Sequence, residues 1–398
     1  MASFRPMPHR LGRLSLLATV LAYPLLAQEA RVRPAEPMVM PAPADSNSPA
    51  FWRDDRLNWF GSTGQVLLSE GLNQFGPFDT GRVELTAAYP APHWMESVWT
   101  DEERNVWGWY HAEPVGLVEG TTLTAPKIGA VWSADGGKTL QDLGIVIESG
   151  DLNDPTAQNG FFIGGHGDFS VILNQERTHF YFFFGNYGGA PESQGVSMAR
   201  MALADRFTPA GRIWKYHKGD WQEPGLLGRV TPIFPVRRPW QLRDPDAFWG
   251  PSVHWNTYLK CYVMVLSHAA GEPGWSQEGI YVSFCSNLDK PETWTPPARI
   301  LSAAEIPAWS SFYPQIMGLG PGDTDSRAGK IARLYLAGAS TWEIEFFPKA
   351  VATETPTDPL PAEPPPEEPP TAEPPPTATP APPPSANPVP PPKLVPPH

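Results

Sequence analysis

Four stretches of this chain resemble one another, and their spacing limits the folds open to it. They begin at His93 (HWMESVWTDEERNVWGWYHAE), Gly167 (GDFSVILNQERTHFYFFFGNY), Gly250 (GPSVHWNTYLKCYVMVLSHA) and Tyr313 (YPQIMGLGPGDTDSRAGKIARLYLAGAS). Each reads as a strand, a polar turn and a second strand. The second strand begins near an aromatic, Trp107, Tyr181, Tyr262 or Tyr335, and these anchors stand 74, 81 and 73 residues apart. Three of the four are followed by a further shared pattern, at Gly129–Ser133, Gly195–Ala199 and Gly279–Ser283, and then by another strand such as Gly144–Ile147 or Arg299–Ser302. Four strands per unit, repeated around an axis, is the sequence signature of a β-propeller.

The local pattern agrees. Short aromatic and β-branched runs alternate with period two and end at Gly, Pro, Asn or Asp. No segment carries a sustained amphipathic helix with caps. The expected fold is all-β, a propeller with five blades. Trp52 to Pro90 has room for most of the fifth blade, and Trp342–Phe346 is placed to close the ring against the N-terminal part. Sixteen Trp suit the packing between blades. A β-sandwich is the alternative, but it leaves the spacing unexplained.

The two ends read differently. Arg5, Arg10 and Arg13 precede the apolar run Leu14–Ala27, which is short for a membrane span, so residues 1–27 read as an export signal. An uncleaved anchor is the other reading. Residues 28–50 are a linker by composition, residues 51–348 the propeller and residues 349–398 a Pro-rich disordered tail. The tail lacks the apolar surface to offset chain ordering, and polyproline II is its expected form. It reads as a spacer, as a strip for a cell-wall or surface partner, or as a solvated tail with no partner. The protein is expected to be secreted, periplasmic or on the cell surface, and monomeric.

Charge excludes one class of partner. The chain carries 42 acids against 29 bases, for a net charge of -13. Nucleic-acid binding needs clustered Lys and Arg, and Arg237-Arg238 is the one doublet of note. Two cysteines exclude a disulfide-dense scaffold. Cys261 and Cys285 lie on segments that could pair as a hairpin centred near Pro273, so a bridge between them and two separate thiols both stay open.

In a propeller the first strand of each blade lines a central funnel, and polar residues at those strand starts converge. This rule selects His111 and Glu113 at the end of one hairpin, and His166 and Asp168 at the start of the next blade. It adds Glu223 in the excursion that follows, then Asp246, Trp249 and His254, and Tyr313 at the last blade. His254 also reads as a strand-surface residue. Carboxylates, histidines and aromatics in one acidic funnel suit a sugar: aromatic faces stack on the ring, one carboxylic acid protonates the leaving oxygen, and a second activates water or attacks. Asp168, Glu113 and Glu223 are the catalytic candidates. His111, His166, Asp246, Trp249, His254 and Tyr313 are the substrate-binding ones.

Other chemistries find no motif. Gly164–Gly167 lacks the Lys-Ser/Thr of a phosphate loop, and neither His-Glu-x-x-His nor Gly-x-Ser-x-Gly occurs. No cofactor or metal is expected. A structural calcium could find oxygen ligands in the funnel, but no loop shows a dedicated pattern.

Several of these pieces resemble secreted five-bladed propellers of the arabinanase and glycoside hydrolase family 43 type, in an uncharacterised-domain branch. They are Tyr110–Glu113, Ser133–Thr139 (an Asp-box-like turn), Gly165–Phe169, Trp249–Asn256 and Tyr313–Ile316. The resemblance implies a base Asp, a second Asp that tunes pKa and an acid Glu, each on a different blade. Asp168 matches one blade-start Asp, and Gln222–Gly225 loosely matches the acid motif at Glu223. A first-blade Asp-Pro is missing, which keeps Glu113 in the set. The expected function is hydrolysis of a polysaccharide, arabinan-like or related. The alternative is a glycan-binding or surface-displayed interaction propeller without turnover.

Overall fold

A computed structural model describes residues 28–86, 92–307 and 311–348. The expectations for residues 1–27 and 349–398 lie outside the described residues. Five antiparallel sheets follow one another along the chain, and each begins with its innermost strand. Sheet I is Ala50–Arg53, Arg56–Ser62, Val66–Gly71 and Phe78–Arg82. Sheet II is His93–Thr100, Val106–Ala112, Lys127–Ser133 and Thr139–Ile147, with Glu84–Thr86 added in parallel at its outer edge. Sheet III runs from His166–Leu173 through His179–Asn186, Gly195–Ala202 and Ile213–His217 to Asp220–Pro224. Sheet IV is Asp246–Asn256, Cys261–Ala270, Gln277–Cys285 and Ala298–Ser302. Sheet V is Pro314–Gly318, Ile331–Leu336 and Ala339–Pro348.

Sheet V takes its fourth strand from the other end of the domain. Gln28–Val39, expected as linker, pairs antiparallel with Ala339–Pro348, from Gln28 opposite Pro348 to Val39 opposite Ala339. Arg33 fastens it to Glu343 at 2.7 Å. The composition of this segment is polar because an outermost strand has little to bury.

Five apolar layers sit between the five neighbouring pairs of sheets, and that arrangement closes the ring. Phe51 and Phe60 meet Met95 and Tyr110 between sheets I and II. Trp109 meets Phe180 and Phe182 between II and III. Tyr181 and Phe183 meet Met264 and Leu266 between III and IV. Val263 and Val265 meet Leu334 and Ile344 between IV and V, and Trp59 meets Tyr335 between V and I. The run Phe180–Phe184 is therefore apolar at every position: its even and odd residues face different neighbours, as in any sheet covered on both sides.

Parity also decides the cysteines. Tyr262, not Cys261, stands opposite Cys285. A one-residue offset sends side chains to opposite faces. Cys261 packs toward sheet V and Cys285 toward sheet III, both as buried free thiols.

The Asp-box-like segment is a hairpin turn between two strands of sheet II. One Asp135 carboxylate oxygen accepts the amides of Lys138 and Thr139 at 3.1 and 3.0 Å, and Ser133 Oγ accepts the Gly137 amide at 2.9 Å. Gly136 and Gly137 have φ of 80° and 87°, which the tight turn requires.

Candidate active site

An innermost strand has an edge toward the axis that its own hairpin leaves unpaired, and its backbone groups need partners; in sheet IV, Arg327–Ala328 supplies them in parallel at Trp255 and Asn256. Three of these strands bulge near the same height. Glu96 is skipped between Met95 and Ser97, Asp168 between Gly167 and Phe169, and Gly250-Pro251 between Trp249 and Ser252. A bulge re-aims the extra residue. Here it turns Glu96 and Asp168, from adjacent blades, toward one point. Asp168 holds φ of 45°, a left-handed conformation uncommon for a non-glycine residue.

The two strands are also stitched together at that height. Glu96 Oε2 accepts the Phe169 amide at 2.6 Å and Ser97 Oγ accepts the Val171 amide at 2.7 Å. His111, at the end of the second strand of sheet II, stands beside them. Its Nδ1 is 3.0 Å from Glu96 Oε1 and its Nε2 is 3.4 Å from Glu113 Oε1. Gly167 makes room for the ring: a Cβ there would lie 2.7 Å from His111 Cε1. Tyr187 donates its hydroxyl to Asp168 Oδ2.

Above this group opens a cavity of about 480 Å³. Its ionisable wall is Asp45, His111, Glu113 and Asp168, with Gln277 among the neutral polar residues. Its aromatic wall includes Trp94, Phe162, Trp249, Trp275 and Tyr313, and no Lys or Arg is among the described lining residues. Trp275 is fixed by stacking on Trp240, with ring centroids 4.4 Å apart, and by donating Nε1 to the Asn159 carbonyl at 3.1 Å. Trp249 packs edge-on against Trp275 and Tyr313.

Burial governs the acids. It pushes Asp168 up to about 6; Glu96 adds to the rise, while His111 and the Tyr187 hydroxyl oppose it. Glu96 is driven well above the ordinary carboxylate range by complete burial, against the Phe169 amide. Glu113 is raised by burial, opposed by His111 and reinforced by Asp168. Glu96, His111 and Asp168 each bring one donor atom within 4.8 Å of the others, so a cation would find two carboxylates and an imidazole there.

The structure thus brings together Asp168, Glu113, His111, Trp249 and Tyr313 from the sequence-derived set. It places four others elsewhere. Glu223 lies on the outermost strand of sheet III, where it accepts the Arg229 amide at 3.0 Å. His166 is buried against Lys215, with Nε2 3.1 Å from Nζ. Asp246 stands 3.0 Å from His268 Nε2 and does not line the cavity. His254 is buried beside the Phe346 ring, at a centroid distance of 5.5 Å.

The sequence reading missed the aromatics Trp94, Phe162 and Trp275 and two acids of the site. Glu96 had a readable signal, a lone acid inside the apolar run Trp94–Trp99 of an innermost strand. Asp45 had none, since it comes from the segment read as linker.

No protein-family model matches the chain, and no curated protein matches it. Solved structures similar to it include a thermostable family-43 glycoside hydrolase, 12% identical, covering 77% of this chain and 90% of that one with a TM-score of 0.45. The α-L-arabinofuranosidase of Podospora anserina in complex with cellotriose is 11% identical, covering 79% and 95%, with a TM-score of 0.45. A GH62 hydrolase in complex with xylotriose is 10% identical, covering 79% and 96%, with a TM-score of 0.46.

Proposed function

We propose that this propeller hydrolyses an O-glycosidic bond of a glycan bound in the central cavity. The observation that supports it is the sharing of one aromatic-walled cavity by Asp168 and Glu113. The two carboxyls differ in environment, which is what acid/base division of labour needs. Asp168 is buried and retains a proton up to about pH 6, so it is assigned as the acid that protonates the leaving oxygen. Burial raises Glu113 as well, but it is more exposed than Asp168 and stands beside His111, which opposes the rise, so it is assigned the ionised role, activating water or attacking the sugar carbon. Trp249, Trp275 and Tyr313 would hold the sugar ring by its apolar face. A wall with no Lys or Arg among its described residues favours a neutral glycan over an anionic one.

The test is release of reducing ends from arabinan, xylan, galactan and related glycans by the full chain. Activity that falls at least about a hundredfold in Asp168→Asn and in Glu113→Gln supports the assignment. Saturable glycan binding with no release at any pH from 4 to 8 would replace it with the reading of a glycan-binding propeller.

A further inference from the structure

The segment before sheet I does more than lead into it. Ser46, Asn47, Ser48 and Pro49 are all buried, although composition marks them as linker. Asn47, 4% exposed, donates Nδ2 to two backbone carbonyls, Phe169 at 2.8 Å and Pro251 at 3.0 Å. Those carbonyls belong to the innermost strands of sheets III and IV, 82 residues apart in sequence. The next residue reaches sheet V: the Ser48 amide donates to Gln315 Oε1 at 2.8 Å, and Gln315 Nε2 donates to the Ser48 carbonyl at 2.6 Å. The Ser48 carbonyl also accepts Trp59 Nε1, in sheet I, at 2.8 Å. One short segment therefore bonds to four blades, through backbone carbonyls of the innermost strands in sheets III and IV and through the Gln315 and Trp59 side chains in sheets V and I.

Both carbonyls held by Asn47 belong to the bulges of the site. Phe169 directly follows Asp168, and Pro251 is one of the two residues skipped after Trp249. Phe169 is clamped on both backbone atoms, its amide by Glu96 and its carbonyl by Asn47. A left-handed aspartate persists only where its surroundings over-determine it. We propose that Asn47 is a positioning residue: its amide group fixes the Asp168 bulge against the Trp249 bulge, and so sets the acid relative to the aromatic wall that holds the sugar. This rests on the hydrolase reading for its consequence, but not for its geometry.

The experiment uses the full chain with Asn47→Ala, and with Asn47→Ser as a milder variant that keeps one donor. Gln315→Met is the control, because it frees the same segment from sheet V alone. Hydrogen exchange reports the clamp without reference to activity. Asn47→Ala should speed exchange of the 166–171 and 249–252 backbone by about tenfold or more, with Asn47→Ser intermediate and strands of sheet II unchanged. On a hydrolysed glycan, kcat should fall about tenfold or more while KM stays within about threefold. Gln315→Met should leave kcat and both exchange segments near wild type. Wild-type exchange at 166–171 in folded Asn47→Ala or Asn47→Ser overturns the proposal, as does an equal kcat loss in Gln315→Met. If no glycan is hydrolysed, the hydrolase reading falls and the exchange result still decides the clamp.

Discussion

Lys215 Nζ lies 3.1 Å from His166 Nε2 inside sheet III, and its other partners are the carbonyls of Glu148 and Gly228 at 2.7 and 2.9 Å. The hydrogen-bond partners of this buried amine are thus neutral, and burial takes it from 10.5 down to about 7 against the opposing charges of Asp151, Glu148 and Glu223. His166 is held well below its ordinary range by burial and by the Lys215 charge. Between about pH 7 and 10.5 the unfolded chain holds a lysine proton that the folded chain does not, so stability should rise with pH across that window. Acidification below 6.5 should lower stability further, as the unfolded His166 takes a proton that the folded one excludes. Urea unfolding from pH 5 to 10 checks both, and Lys215→Met should flatten the alkaline slope.

Asp168 shows the opposite sign. Its folded-state pKa is raised from 3.8 to about 6, so the stability it lends is full below 3.8 and is lost as pH rises through about 6. Asparagine keeps an acceptor for Tyr187 and carries no charge. Asp168→Asn should therefore unfold at a higher temperature than wild type at pH 7, by on the order of 1 kcal/mol in stability, while hydrolysis collapses. Calorimetry beside an activity assay reads both.

Tyr187→Phe removes the hydroxyl that stabilises the Asp168 carboxylate. The Asp168 midpoint should move upward, and with it the corresponding limb of the pH–rate profile. A profile that does not move would separate Asp168 from the proton transfer.

Phe161 and Trp275 line the same cavity with different exposure, 56% against 7%. Phe161→Ala should change stability by no more than about 0.5 kcal/mol. Its effect should fall on KM for glycans. Trp275→Ala removes a ring stacked on Trp240 and should cost about 3–5 kcal/mol. Thermal melts and steady-state kinetics distinguish the two.

The thiols give a simple check on register. Cys261 and Cys285 occupy opposite faces of sheet IV. The denatured protein should show two reactive thiols, and a reducing agent should leave the melting temperature unchanged. A disulfide-linked peptide in a digest would contradict the Tyr262–Cys285 pairing.

Much of this protein is written locally. Period-two runs, turn residues and the repeating hairpins determine strands, and their spacing determines a ring, because each hairpin carries its own signal within about twenty residues. Asp168, His111 and Glu113 were legible for the same reason, lying at strand ends that a propeller aims inward. Tertiary structure alone decided the rest. Glu223 and Asp168 look alike as acids near strands, yet one falls on the outermost strand and the other on the innermost, a radial coordinate that no short window contains. Glu96 reaches the site through a bulge, and Cys261 misses Cys285 by one residue of register; both are matters of parity across paired strands. Asp45 and Asn47 acquire a role only when five sheets close and leave an axis to fill. Such polar residues have no periodicity to betray them, because their partners are backbone edges brought together by closure of the ring.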